Sequence, residues 1–378
     1  MIKKLIIAVF AVFLATGGIF AQTLEISGEM KTGIYWEKVD TPAMVGENGE
    51  IIPAKTEEKA RIHNNDDAGP NDGRFRMNLH MKKDIIGMKV RFEQTAWSDA
   101  QPNKWSFAFA YGDFVNEQLR IVAGKLGESP WSAGGPDIWQ ELDNQIGVRT
   151  EIKPNALPGL NIGFVLNTWN NANYYPDKNT LTDILMESVL GIAYTNDYFH
   201  ARFCYRLDGE SDVYNVNEGM ELMYRLEERA LRKVVDGLSI WVNGWWRGIG
   251  TEDEDPNLVT RIYTNWFYAQ LAPQNFTAQL RVGYHVGVFY DELHTRLSFY
   301  YNIFDWLSLG AAFNFRIDVG NESVKDVPYR LWNVEPQLRA TFAPGTYVAF
   351  VYSFENYPLD SVNVKQTQKI NLRTVFTF

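Results

Sequence analysis

Apolar and polar residues alternate with a period of two along most of the chain. Phe75, Met77, Leu79 and Met81 alternate with Arg74, Arg76, Asn78, His80 and Lys82. Phe199, Ala201, Phe203, Tyr205 and Leu207 alternate with His200, Arg202, Cys204 and Arg206. Phe276, Ala278, Leu280, Val282, Tyr284 and Val286 do the same against Thr277, Gln279, Arg281, Gly283 and His285. So do Leu307, Leu309, Ala311, Phe313, Phe315 and Ile317 against Ser308, Gly310, Asn314 and Arg316. In an extended strand this period sends one set to each face. It predicts strands over 24–36, 73–83, 85–96, 104–112, 118–126, 145–153, 159–168, 187–196, 198–207, 217–226, 238–248, 259–270, 275–286, 292–303, 307–317, 329–341, 345–354 and 367–378. These number about eighteen, or sixteen or fourteen if weak pairs merge, and each approaches the ~9–11 residues of a tilted membrane strand. In 187–196, 259–270 and 345–354 aromatics stand on both faces, so the phase there is open to a slip of one.

The connections sort by parity. Lys83-Asp84, 112–117, 154–158, Asn196-Asp197, 272–274, 304–306 and Pro344 are short, and 229–236 is longer, with room for a helical turn. The intervening segments 37–72, 127–144, 169–186, 208–216, 249–258, 318–328 and 355–366 are long and polar; 97–103 and 287–291 are shorter. A soluble sandwich has no reason to sort its turns this way, whereas a membrane barrel has short turns at one end and long loops at the other. The fold class predicted is all-β, a transmembrane antiparallel β-barrel occupying 22–378, with long extracellular loops at 37–72, 127–144 and 169–186.

Residues 1–21 add the compartment. Two lysines precede an apolar stretch from Leu5 to Phe20, and Ala21-Gln22 offers a small-residue cleavage point, the pattern of a secretory signal peptide. A formal charge of -10 argues against a nucleic-acid partner. The single cysteine, Cys204, excludes an intramolecular disulfide framework and any CxxC motif. Its phase points it into the lumen as a free thiol.

The last segment, TQKINLRTVFTF, sets Ile370, Leu372, Thr374, Phe376 and Phe378 against Lys369, Asn371, Arg373 and Thr377. This ending resembles the C-terminal signal of Gram-negative outer-membrane proteins, which implies that Phe376 and Phe378 are read by the barrel assembly machinery. The location implied is the outer membrane, with its lipid as a partner.

The charge is unevenly placed. The inward phase collects Arg74, Arg76, Arg91, Arg120, Arg149, Arg202, Arg206, Arg281, Arg316 and Arg339, against fewer acids such as Glu29, Glu93, Glu151, Glu221, Glu292 and Glu335. Two readings stand: a basic wall whose field selects ions and polar solutes, or Arg and Glu pairing across strands. The 127–144 connection, GESPWSAGGPDIWQELDN, joins Gly and Pro with acids and two tryptophans. Together with GDFVNEQLRIVAGKLGE before it, this stretch resembles the general porin family. The resemblance implies a third loop folded into the lumen, with Glu128, Asp137, Glu141 and Asp143, beside Trp131 and Trp139, facing part of the basic wall. A surface loop with a Trp cap is the alternative. The same resemblance implies a homotrimer.

The function expected is passive diffusion of small hydrophilic solutes or ions through a water-filled lumen. A sugar-type channel is an alternative, because Trp241, Trp245 and Tyr263 fall on the predicted inward phase, while Trp36, Trp105, Trp266 and Tyr347 suit an interfacial girdle. A surface adhesin or receptor working through its loops is another. No GxSxG, HExxH, Walker A or GxGxxG pattern occurs in suitable context, so no catalytic residue and no enzyme is expected. His285 and His294, with Glu292, could face each other as a metal pair if the hairpin turns near Phe289, but non-ligating lumen histidines are the commoner case. Neither a metal nor a cofactor is expected. The carboxylate-rich 64–73 and 251–257 segments could draw a loop-bound Ca²⁺, though neither has EF-hand spacing, and solvated acidic loops are the simpler reading.

Overall fold

The computed structural model describes residues 23–46, 50–62, 74–95, 104–127, 129–132, 146–167, 188–206, 220–249, 262–286, 292–318, 331–359 and 363–378. The expected signal peptide lies outside these residues.

Each predicted alternating segment forms a strand. In chain order they are β1 (Thr23–Thr41), β5 (Arg74–Lys83), β6 (Ile86–Thr95), β7 (Lys104–Phe114), β8 (Leu119–Lys125), β9 (Ile146–Ile152), β10 (Leu160–Asn167), β11 (Val189–Thr195) and β12 (Phe199–Arg206). There follow β13 (Met220–Glu228), β14 (Ser239–Ile249), β15 (Ile262–Leu271), β16 (Phe276–Val286), β17 (Glu292–Phe304), β18 (Leu307–Asp318), β19 (Leu331–Ala343), β20 (Thr346–Pro358) and β21 (Val364–Thr377). Every neighbour pairs antiparallel. β1 closes the wall by pairing with β21 on one edge, Glu29 opposite Thr377 through Asp40 opposite Gln366, and with β5 on the other. The result is a closed eighteen-stranded barrel, which leaves no backbone edge for lipid to meet.

The first long connection differs from expectation. β1 continues to Thr41, a small hairpin follows (β2, Met44–Val45; β3, Ile51–Ile52), and β4 (Lys55–Ile62) returns along the upper half of β1. β4 takes Ile34 to Thr41 on the edge whose lower half, Thr23 to Lys31, is taken by β5. Charge hides this ribbon in the sequence, since Glu37, Lys38, Asp40 and Lys59 look like loop residues. In the structure they pair as Lys59–Glu37 at 2.6 Å and Lys38–Asp40 at 3.0 Å.

Between strands the short turns fall at one end. Gly345, at φ +75, makes the turn between β19 and β20, a conformation that suits a residue without Cβ. The longest of these turns holds a 3₁₀ turn, Leu231–Lys233.

The wall is inside out relative to a soluble protein. Ile34, Leu338, Phe350 and Leu372 are exposed, while Arg149, Glu151, Glu221, Asn243, Asn314 and Thr367 are buried. In a closed single-walled barrel the concave face is the sheltered one. The polar rows therefore line the lumen and the apolar rows face outward, as lipid requires.

Candidate pore lining and constriction

Along the inner wall most charges meet a partner on the same strand or one or two strands away. Arg76 bonds Glu93 at 3.0 Å, Arg120 bonds Asp113 at 2.6 and 3.0 Å, and Arg149 reaches Glu151 at 3.0 Å. Arg206 pairs with the fully buried Glu221, whose other oxygen accepts from the Trp245 indole at 2.8 Å. Arg316 reaches Glu292 at 3.6 Å, and Arg296 bonds Glu335 at 3.0 Å. Arg202 and Arg225, directly opposite one another, share Glu227 at 3.8 and 3.7 Å. The described inner wall is thus largely a paired network.

Several partner acids lie where the sequence reads as turn or loop. Glu37, Asp113, Glu227 and Glu355 all join the wall because β1, β7, β13 and β20 outrun their apolar cores. Glu355, for example, accepts from Lys369 at 3.0 Å. Past the lipid band a strand needs no outward apolar row, so its ends carry no alternation. The inner face is consequently less basic than the strand cores alone suggest.

The remaining predicted wall arginines make other contacts. Arg91 donates to Asn78 at 2.8 Å and lies 4.8 Å from the Phe107 ring centre. Arg281 stands 5.7 Å from the centre of Tyr268, and Arg339 stands 4.4 Å from that of Tyr347. Arg74 begins β5, opposite Lys31; its side chain lies outside the described residues.

After β8 the chain turns onto the inner wall. The Gly127 carbonyl accepts from Arg149 at 2.8 Å, the Trp131 carbonyl from the Cys204 thiol at 2.9 Å, and the Ser132 carbonyl from Arg202 at 3.0 Å. These three donors stand on β9 and β12, so the carbonyls of Gly127, Trp131 and Ser132 are spread across four strands. The Trp131 indole, 0% exposed, fills the space that side chains would need at Gly163 and Gly191. Those glycines face each other across β10 and β11 and form a slot two residues wide. Of the predicted constriction residues, Trp131 is the one described. Glu128, Asp137, Trp139, Glu141 and Asp143 lie outside the described residues. The glycine pair was a missed signal, because two inward glycines in register mark a close approach by another group.

The aromatics require two corrections. On β15 the inward residues are Thr264, Trp266 and Tyr268, while Tyr263 pairs with Trp246 on the outer face. Tyr347 pairs with the buried Val375 and is also inward, not in a girdle. Rings occupy both faces of β15 and β20, so alternation could not fix the phase there. Trp36 is outward as expected, and the Trp105 side chain lies outside the described residues. Trp241 and Tyr268 stack at 4.6 Å and 15°, and Arg225 lies 4.4 Å from the centre of the indole.

His285 and His294 do not stand opposite each other as a metal pair would require. His285 faces Glu292 and shares a 2.6 Å hydrogen bond with Thr264; His294 faces Gly283 and packs edge-on to Trp266 at 5.1 Å. Among the described residues no group of three His, Cys, Asp or Glu side chains is placed to hold a metal ion. The 64–73 and 251–257 segments lie outside the described residues.

Phe376 and Phe378 lie on the outer face. Phe378 exchanges backbone hydrogen bonds with Gly28 at 2.7 and 3.1 Å, and its ring covers that glycine and stacks 6.4 Å from Phe75.

An even-numbered, closed antiparallel barrel with an apolar exterior and a charged lumen is a porin-like barrel of the outer membrane. Solved structures of that kind resemble it in fold. OccK11 (OpdR) of Pseudomonas aeruginosa is 10% identical, with a TM-score of 0.53 and coverage of 95% of this chain and 97% of that chain. OmpF of Salmonella typhi is 9% identical, with a TM-score of 0.49 over 94% and 97%. OmpT, an outer membrane protein of Vibrio cholerae, is 12% identical, with a TM-score of 0.44 over 94% and 97%. At these identities the likeness concerns the fold. No protein-family model and no curated protein matches the sequence.

Proposed function

We propose that the barrel is a diffusion channel for small hydrophilic solutes and ions, with no chemical turnover. The observation that carries this reading is the sheltered row of ion-paired arginines and carboxylates, with Gly127, Trp131 and Ser132 lying against it on one flank. Such a row solvates a wet lumen and would be a costly way to fill a solid core. The pairing favours weak ion selectivity, since most wall charge is neutralised beside its source. In this reading the predicted wall arginines and the 127–144 loop set the field and width of the pore. The short-turn end faces the periplasm, Phe378 is read by the assembly machinery, and the channel works as a homotrimer.

Planar-bilayer recording of purified, refolded protein tests the proposal. Discrete ion-permeable steps with a small reversal potential are expected; a preparation that inserts but never opens would sink it. A sugar track has less support. Trp241 and Tyr268 stack on each other, and Arg225 also lies over the indole, whereas a sugar needs an open ring face. Maltose and longer glucans should therefore leave the current unchanged.

A further inference from the structure

One part of the inner wall departs from the paired pattern. Arg339 on β19 and Arg373 on β21 stand in one row, each directly opposite the small, buried Ala349 of β20 between them. Among the described residues neither guanidinium is in ion-pair contact with a carboxylate, whereas Arg76, Arg120, Arg149, Arg296 and Arg316 each hold one. The nearby acids are otherwise engaged: Glu335 with Arg296, Glu355 with Lys369. The buried Nε of Arg373 has no acceptor.

Aromatic rings hold the two arginines. Arg339 lies 4.4 Å from the Tyr347 ring centre and 5.9 Å from that of Tyr300, and Tyr347 also lies against Arg373. With its amide turned toward Arg339, Gln337 takes up the Nε and one terminal nitrogen at 3.2 and 3.1 Å. That leaves part of a five-donor fork for another acceptor. Two strand spacings separate the arginine Cα atoms by roughly 9.5 Å. Side chains of that length can converge over Ala349, where a larger residue would stand between them.

We propose that Arg339 and Arg373, with Tyr347 between them, form a two-pronged site for a small oxyanion on the lumen wall. The ligand class follows from the donors: planar N–H forks match the paired oxygens of phosphate, sulfate or carboxylate, and chloride offers no such pair. Because the row faces the lumen, the anion is a solute and not a lipid headgroup. The site rests on the channel reading only in being reached through the pore.

Inorganic phosphate is the probe. Calorimetric titration of refolded, detergent-solubilised protein against phosphate, at ionic strength fixed with chloride, should give saturable binding. Bilayer recordings should show phosphate lowering the chloride current over the same range. Arg339→Gln with Arg373→Gln should weaken both effects at least tenfold, while Arg339→Lys with Arg373→Lys, keeping charge but not the fork, should fall between. The outer-face variant Leu338→Ala should bind as wild type, which separates loss of the site from loss of fold. Absence of saturable binding in wild type, or equal binding by the double Gln variant, overturns the site even if the channel conducts. Binding lost only in the double variant upholds the site even if no conductance is seen.

Discussion

The Cys204 thiol donates to the Trp131 carbonyl across 2.9 Å, so the single cysteine of the chain lies beneath the segment that enters the lumen. Burial of both residues makes thiol reactivity a report on whether that segment is seated. Gly191→Val puts a side chain where the indole sits. It should speed modification of Cys204 by a small water-soluble thiol reagent at least tenfold and raise single-channel conductance. Unchanged labelling together with unchanged current would show that the slot does not hold the segment.

Glu221 is fully buried between Arg206 and the Trp245 indole. Glu221→Leu leaves a sheltered guanidinium uncompensated and should cost about 3–5 kcal/mol of folding free energy, read from denaturant unfolding in detergent or lipid. Adding Arg206→Met should recover most of the loss. If the single variant unfolds at the wild-type midpoint, the pair is solvated rather than buried.

Leu372 and Asn371 are adjacent on β21 but face lipid and lumen respectively. Leu372→Arg should destabilise the barrel by about 2–4 kcal/mol if it lies near the bilayer midplane, while Asn371→Arg should change stability little. Equal losses in the two variants would mean that the faces have been assigned wrongly.

At the seam, a Cβ on Gly28 would meet both the Phe378 ring and the carbonyl of Arg76. Gly28→Val and Phe378→Ala should each lower the folded fraction, followed by the mobility difference between heated and unheated samples on gels. Gly28→Val should be the more severe, because backbone cannot move aside as a ring can. Wild-type folding yields in both would argue that closure does not depend on this contact.

Where one face is apolar and the other charged, as from Phe75 to Lys82, the period of two fixed the strand and its direction. It failed for Tyr263, Trp266 and Tyr347 because rings stood on both faces. Strand ends at Glu37, Glu227 and Glu355 were hidden for another reason: outside the lipid band no outward apolar row is needed, so paired wall and solvated loop share a composition. The slot for Trp131 depends on Gly163 and Gly191 meeting in register. Each glycine is visible in the sequence, but their meeting is a property of strand pairing.

The wall closes only where β21 lies against β1, the two most distant strands of the barrel. Glu29 to Asp40 must therefore remain available until Gln366 to Thr377 have been synthesised. Translation and completion of the ring are then separate events. Whatever carries the nascent polypeptide between them must keep the exposed edge of its earliest strand from pairing with another copy.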